Sequence, residues 1–294
     1  TYNPGHPMIR GASPMSVTRK SLFVIERNHN RDLTLEDIAT ACGVSKYHLA
    51  HAFGQTTNRS VMQYTRARRL TEAARALARG APDILDLALQ SGYSSHEAFT
   101  RAFRQQFGVA PESVRSTGSL DGLAVVEPMT GPGHGAVEVN SPRLADEPEI
   151  RAVGLQAHYT YDAIAGIPGQ WQRFMTLAPG IPHRRPGIPI GVASNVDADG
   201  GFDYICAAEV SAFSTLPPDC VRVSIPAHRY AIFEHRDHIS TIQQTYAAIW
   251  DEWLPAHQLA SADAPSIERH RETFDPRTGD GGVDIWIPVV AGKG

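Results

Sequence analysis

The hydrophobic positions of this chain change period partway along it. Over residues 16–116, apolar residues recur at i, i+3 and i+4, the spacing of helices buried on one face. Beyond residue 136 they alternate or run on in short apolar stretches, the texture of strands. The helical part holds one pattern twice, about fifty residues apart. The first copy is Asp37-Ile38-Ala39, then Cys42-Gly43-Val44-Ser45, then Leu49, Ala52 and Phe53. The second is Asp86-Leu87-Ala88, then Ser91-Gly92-Tyr93-Ser94, then Phe99, Ala102 and Phe103. Each predicts a short helix, a turn at Gly, a Ser N-cap and a second helix with an apolar stripe. Leu22, Val24 and Ile25 start an earlier helix, and Thr34 caps the next. Residues 60–79 form one long amphipathic helix between the two units, ended by Gly80-Ala81-Pro82.

Residues 117–135 are rich in Gly and Pro and predict a linker. After it, strands are expected at 151–161, 188–193, 204–210, 229–234 and 283–290, with helices at 164–177 and 239–254. The chain is therefore expected to be multidomain: an all-α tandem helix-turn-helix domain at 16–116, then an α+β domain at 136–294 of two β-α-β-β pseudo-repeats. A groove between such repeats is a natural small-molecule site. Residues 1–15 lack periodicity and are expected to be a flexible lead or an appended remnant, with Met15 a natural start.

Charge separates the halves further. Residues 16–116 hold 14 Lys and Arg against 9 Asp and Glu, and residues 117–294 hold 12 against 22. A basic module joined to an acidic one points to a polyanion for the first alone. Three scattered cysteines, Cys42, Cys206 and Cys220, fit a reducing cytoplasm rather than a disulfide framework. No apolar run approaches a membrane span, so no membrane partner is expected.

The apolar stripes decide which side chains face outward. In the first unit these are Lys46, Tyr47, Ala50 and His51; in the second, His96, Glu97, Thr100, Arg101 and Arg104. Two such helices suit two major grooves of double-stranded DNA. Arg101 could hold a guanine in bidentate fashion, while Lys46, Arg66, Arg69 and Arg104 suit phosphates.

These residues resemble the AraC/XylS family of bacterial transcription regulators over about residues 22–115. The resemblance rests on Tyr64-x-Arg66-Ala67-Arg68-Arg69-Leu70, on Asp83-Ile84-Leu85-Asp86-Leu87-Ala88, and on Phe99-Thr100-Arg101-Ala102-Phe103 with Phe107-Gly108-x-x-Pro111. It is nearest the branch that binds as a monomer to two adjacent major grooves. It implies base-proximal roles for Tyr47, Ala50, His51, His96, Glu97, Thr100 and Arg101. Tyr47 stands where relatives carry Trp, and Ala50 and His51 replace a Gln and an Arg, which shortens the hydrogen-bonding reach of the first helix. RNA polymerase would be a further partner of such a regulator.

The second half is similar to the GyrI-like effector-binding domain through Ile225 to Glu234, Trp250-x-x-Trp253-Leu254-Pro255, Ser266-Ile267-Glu268-Arg269 and Ile285-Trp286-Ile287-Pro288. That resemblance implies a pocket for a small lipophilic cation, with Glu268 matching the family's acidic residue. Glu209 is a second acidic candidate. Trp171, Phe174, Tyr204, Tyr230 and Trp286 are candidate aromatic walls, although an ordinary core also uses such residues. A carboxylate in an apolar pocket needs a partner, and a cation supplies it. Two rival readings are a small-molecule hydrolase with an acidic residue activating water, and a protein-interaction module without a ligand. No cofactor, nucleophile elbow or metal motif is expected. Gly131 to Ala136 matches a dinucleotide fingerprint only in letters, because strand-like sequence and Pro142 follow it. Glu234, His235 and His238 are too weakly spaced for a metal.

Overall fold

The computed structural model describes residues 16–81, 83–129, 139–257 and 259–291. The expected lead (1–15) and the Gly131 to Ala136 segment lie outside the described residues. Seven helices come first: α1 (Val17–Asn28), α2 (Leu35–Cys42), α3 (Lys46–Thr57), α4 (Val61–Ala78), α5 (Ile84–Gln90), α6 (His96–Phe107) and α7 (Pro111–Thr117). Local chemistry explains their ends. Thr34 and Asp37 form a capping box on α2, Gly43 takes φ +73° after it, and Ser45 accepts the His48 amide to start α3. The second unit is one residue longer. Its N-cap is Ser95, which accepts the Ala98 amide, rather than Ser94 as the repeat suggested.

The expected linker is partly built into this domain. Leu120, Leu123 and Val125 pack on the α4–α6 core. The Val126 amide donates to Thr71 Oγ1, its carbonyl accepts from Arg68, and the Met129 amide donates to the Tyr64 hydroxyl.

The second domain holds β1 (Arg143–Glu147), β2 (Ile150–Tyr159), α8 (Ile167–Leu177), β3 (Ile190–Ser194), β4 (Phe202–Glu209), β5 (Cys220–Ile225), β6 (His228–His235), α9 (Ile242–Ala248), β7 (Leu259–Ser261), β8 (Ser266–His270) and β9 (Val283–Ala291). After α9 the backbone runs through a π-helical turn, Ile249–Trp253, and a last α-turn, Leu254–Ala256. The main sheet is antiparallel in the order β1-β6-β9-β8-β3-β4-β2-β5, with β7 on β9. The two expected repeats are β2-α8-β3-β4 and β6-α9-β8-β9. The sequence announced neither β8 within the second repeat nor β7. Each repeat also gains a further unannounced strand, and those additions are exchanged: β1 pairs with β6 and β5 with β2.

Strand alternation sorts the sheet's side chains onto two faces. One carries Gly191, Tyr204, Cys206, Glu268 and Ile285 toward the helices. The other carries Ile190, Ile205, Tyr230, Ile267 and Trp286, gathered into a separate cluster. The helical face is also where the domains meet. One core cluster contains Leu22, Ile38, Tyr47 and Phe53 together with Phe233, Tyr246, Ile249, Trp250 and Ile287. Among the described residues no helix is long and apolar enough to cross a membrane.

Candidate functional site: a carboxylate groove holding a helix

The carboxylate of Glu268 is the centre of the helical face. Tyr204 donates to its Oε2 at 2.6 Å and Tyr246 to its Oε1 at 2.8 Å. Trp171 Nε1 donates in turn to the Tyr204 hydroxyl at 3.2 Å. The two tyrosines come from different repeats, β4 and α9, so the carboxylate bridges the groove between them. Burial, and then the Glu268 charge, push both phenols well above the usual tyrosine range, so they remain donors. No Lys or Arg ion pair reaches Glu268 among the described residues. Gly191 lies opposite Glu268 in the register, and a side-chain carbon there would strike the Tyr204 hydroxyl. Only glycine lets that phenol cross the sheet to the carboxylate.

The other ligand candidates divide. Trp171 and Tyr204 stand at this site, and Phe174 is fully buried behind them, edge-on to Trp171 at 6.0 Å. Tyr230 and Trp286 lie on the opposite face of the sheet, 5.7 Å apart, because β6 and β9 put their odd and even positions on opposite sides. Glu209 is on that face as well and forms an ion pair with Arg269 at 2.6 Å. It lines a separate cleft of about 350 Å³ with Glu147, Glu149, Arg151 and Arg185, whose lining is charged rather than apolar. These three expected ligand residues therefore do not join Glu268. The sequence reading missed Tyr246, although it stands one turn before Trp250 on the same helical stripe.

The groove is not empty of protein. The outward face of α3 is seated in it, and every residue from Tyr47 to Gly54 is buried. The Tyr47 hydroxyl bonds Ser266 Oγ at 2.8 Å, two residues before Glu268 on the same face of β8. His48 Nε2 donates to the Trp250 carbonyl at 2.6 Å, and His51 Nδ1 lies 2.8 Å from the Tyr161 hydroxyl. The His51 ring stacks on Trp250 with 5.0 Å between centroids. Around the helix, Arg66 is paired with Asp199 at 2.6 Å, and Asp251 Oδ1 accepts the Thr18 amide at the start of α1 at 2.7 Å. Tyr47, Ala50 and His51 do face away from the core of their own domain, as expected, yet the second domain covers them.

The outward face of α6 is open. Glu97, Arg101 and Arg104 on α6 are exposed, and His96 is half-buried against Glu112 at 3.3 Å. Thr100 is half-buried on the same helix. Lys46 is exposed and pairs with Glu36 at 3.1 Å. Arg69 departs from its expected place on phosphates. It is 5% exposed, donates to the His29 and Arg31 carbonyls and lies over the Tyr93 ring, so it ties the two helix-turn-helix units together.

Burial holds His48 down to about 4 and, with its neighbour His48 adding to the effect, His51 down to about 3. An exposed histidine titrates near 6.5. The unfolded chain therefore binds more protons below that value, and the seated α3 loses stability as pH falls from about 6.5 through 4 to about 3. The urea midpoint is expected to be lower at pH 5 than at pH 7.5. A His48→Gln, His51→Asn double variant should lose most of that difference.

The GyrI-like small molecule binding domain family matches residues 141–290, and a helix-turn-helix domain family matches residues 38–117. Over most of its length the chain is similar to the transcriptional regulator Rob of Salmonella typhimurium, 25% identical over 275 residues, which is 92% of this chain and 95% of that protein. The helical half is similar to the multiple antibiotic resistance protein MarA of Escherichia coli, 39% identical over 93 residues, or 32% of this chain and 73% of that one. Among solved structures, that of SAV2435 bound to tetraphenylphosphonium aligns with 51% of this chain and 94% of its own, at 18% identity and a TM-score of 0.44. With its tandem helix-turn-helix units and its two-repeat sheet in this order, the chain belongs to the AraC/XylS transcription regulators of Rob-like architecture, a DNA-binding domain joined to a GyrI-like small molecule binding domain.

Proposed function

We propose that this regulator senses a small lipophilic cation in the groove at Glu268 and reads duplex DNA with its helix-turn-helix units. The observation that carries the sensing is the Glu268 carboxylate, fixed by two phenols from opposite repeats without a cationic partner among the described residues. A cation supplies the missing charge, and Trp171, Tyr204 and Tyr246 give it ring faces worth about 0.5–2 kcal/mol. The ligand is bound without conversion, in line with the regulators the chain resembles, and RNA polymerase recruitment would follow DNA binding in the cytoplasm.

Calorimetry of the full chain with tetraphenylphosphonium tests the sensor. Glu268→Gln keeps shape and removes charge, so the affinity should fall by about 1–3 kcal/mol, roughly 5- to 150-fold. Glu209→Gln should change it little, because Glu209 already pairs with Arg269 across the sheet. Equal cation binding by wild type and Glu268→Gln would refute the assignment.

On the DNA side, Arg101 is one of two exposed cations on α6, with Arg104, and is the one assigned to a base edge. Arg101→Ala should weaken a selected duplex by about 1–3 kcal/mol and relax one base pair of the selected motif. An unchanged motif would remove Arg101 from base reading.

A further inference from the structure

Two recognition helices of matched design meet different fates here, one open and one buried in the sensor groove. Reading two adjacent grooves needs both. The buried face is the one turned away from its own core, at Tyr47, Ala50 and His51, so the second domain occupies the side of α3 that a duplex would occupy. Its charges follow the same pattern. Asp199 stands on Arg66, and Asp251 takes the first-turn amide of α1, an anion position at a helix N-terminus. The acidic domain thus satisfies groups suited to phosphates.

The seat is also imperfect. His51 Nε2 and Trp250 Nε1, members of the stacked pair at its centre, are both buried without a hydrogen-bond partner. Unpartnered polar atoms weaken a contact that must otherwise hold by ring packing. Meanwhile the Tyr47 phenol reaches Ser266, next to the tyrosine-held carboxylate, so an aromatic cation bound at Glu268 contends with Tyr47 for the same space.

We propose that α3 is the resident occupant of the sensor groove, and that a lipophilic cation and duplex DNA both bind the state in which α3 has left it. The proposal rests on the sensor reading above for its ligand, but not for the occlusion itself. Cation and DNA then favour one another through a shared open state, and the coupling is reciprocal.

Gly54 offers a way to open the groove without touching either ligand. A side-chain carbon at Gly54 would overlap the Tyr161 ring, whereas alanine suits the helix itself. Duplex affinity is measured by fluorescence anisotropy on a sequence selected by the full chain from a random pool. Tetraphenylphosphonium should raise wild-type affinity about 5- to 150-fold, the ordinary range of coupling between sites. It should also speed amide exchange in residues 46–57. Gly54→Ala should bind the duplex with similar gain in the absence of the cation, and respond little to it. Tyr161→Ala, which removes the same contact from the other side, serves as the second opened variant if Gly54→Ala misfolds.

If calorimetry detects the cation but duplex affinity and α3 exchange do not move, the competition is overturned while the sensor stands. If no cation binds, the sensor reading fails. The occlusion then stands or falls on whether the opened variants bind the duplex more tightly than wild type.

Discussion

Trp250→Ala should lower the unfolding free energy by about 3–5 kcal/mol and split one denaturation transition into two. Trp250 is fully buried and lies in the cluster that contains residues of both domains. Its ring meets Tyr47, His48 and His51 on α3, at 5.7, 5.2 and 5.0 Å. Its carbonyl accepts from His48 and is placed for that bond by the π-helical turn. Truncation leaves a cavity at the seam, so the helical and sheet domains should lose their common transition first. Guanidinium unfolding followed by far-ultraviolet circular dichroism and by tryptophan fluorescence would separate the two steps. Coincident curves with an unchanged midpoint would show that the seam contributes little.

Arg68→Ala should cost about 3 kcal/mol, the lower end for removing one partner of a buried ion pair, with the loss confined to the helical domain. Arg68 is 2% exposed and bonds both oxygens of Glu26, Glu72 Oε1 and the Val126 carbonyl. Burial alone would raise the Glu26 carboxyl, but the Arg68 and Tyr64 hydrogen bonds outweigh it and hold it below the usual range. The substitution strands that carboxylate and releases the 118–129 arm from α4. Acid should act the same way: stability supplied by a lowered carboxyl is present above its ordinary range and fades as pH falls through the folded value. Arg68→Ala should therefore flatten the acid limb of stability below about pH 4.5, a range in which the buried histidines, His51 above all, are still titrating. Urea unfolding at pH 7 and at pH 4 checks both points.

The helices were legible because caps and turns are local. Thr34, Ser45 and Ser60 announce their helices by spacing alone, and the two Gly turns follow from the repeat. The alternation that marks strands also carried the two repeats of the sheet, apart from β8, which it did not mark. What local patterns could not carry was pairing at a distance. The exchange of β1 and β5 between repeats, the crossing of Tyr204 over Gly191, and the placing of Trp286 behind the sheet all depend on register.

The burial of α3 did leave a trace. Lys46 is its one formally charged residue, whereas α6 carries Glu97, Arg101 and Arg104. A helix poor in charge around its whole circumference is one that finds cover. The replacement of longer polar residues by Ala50 and His51 points the same way, because both pack against rings more readily than they reach a base edge.

On the proposed mechanism, one groove governs how many recognition helices reach DNA. Hydroxyl-radical footprinting of the full chain, on one selected duplex with and without saturating tetraphenylphosphonium, tests it most directly. Without the cation, protection should be dominated by the half-site read by α6. With it, two half-sites one helical turn apart, about 34–36 Å, should be protected. A complete two-half-site footprint in the absence of the cation, unchanged when it is added, would show that α3 is not held back by the groove.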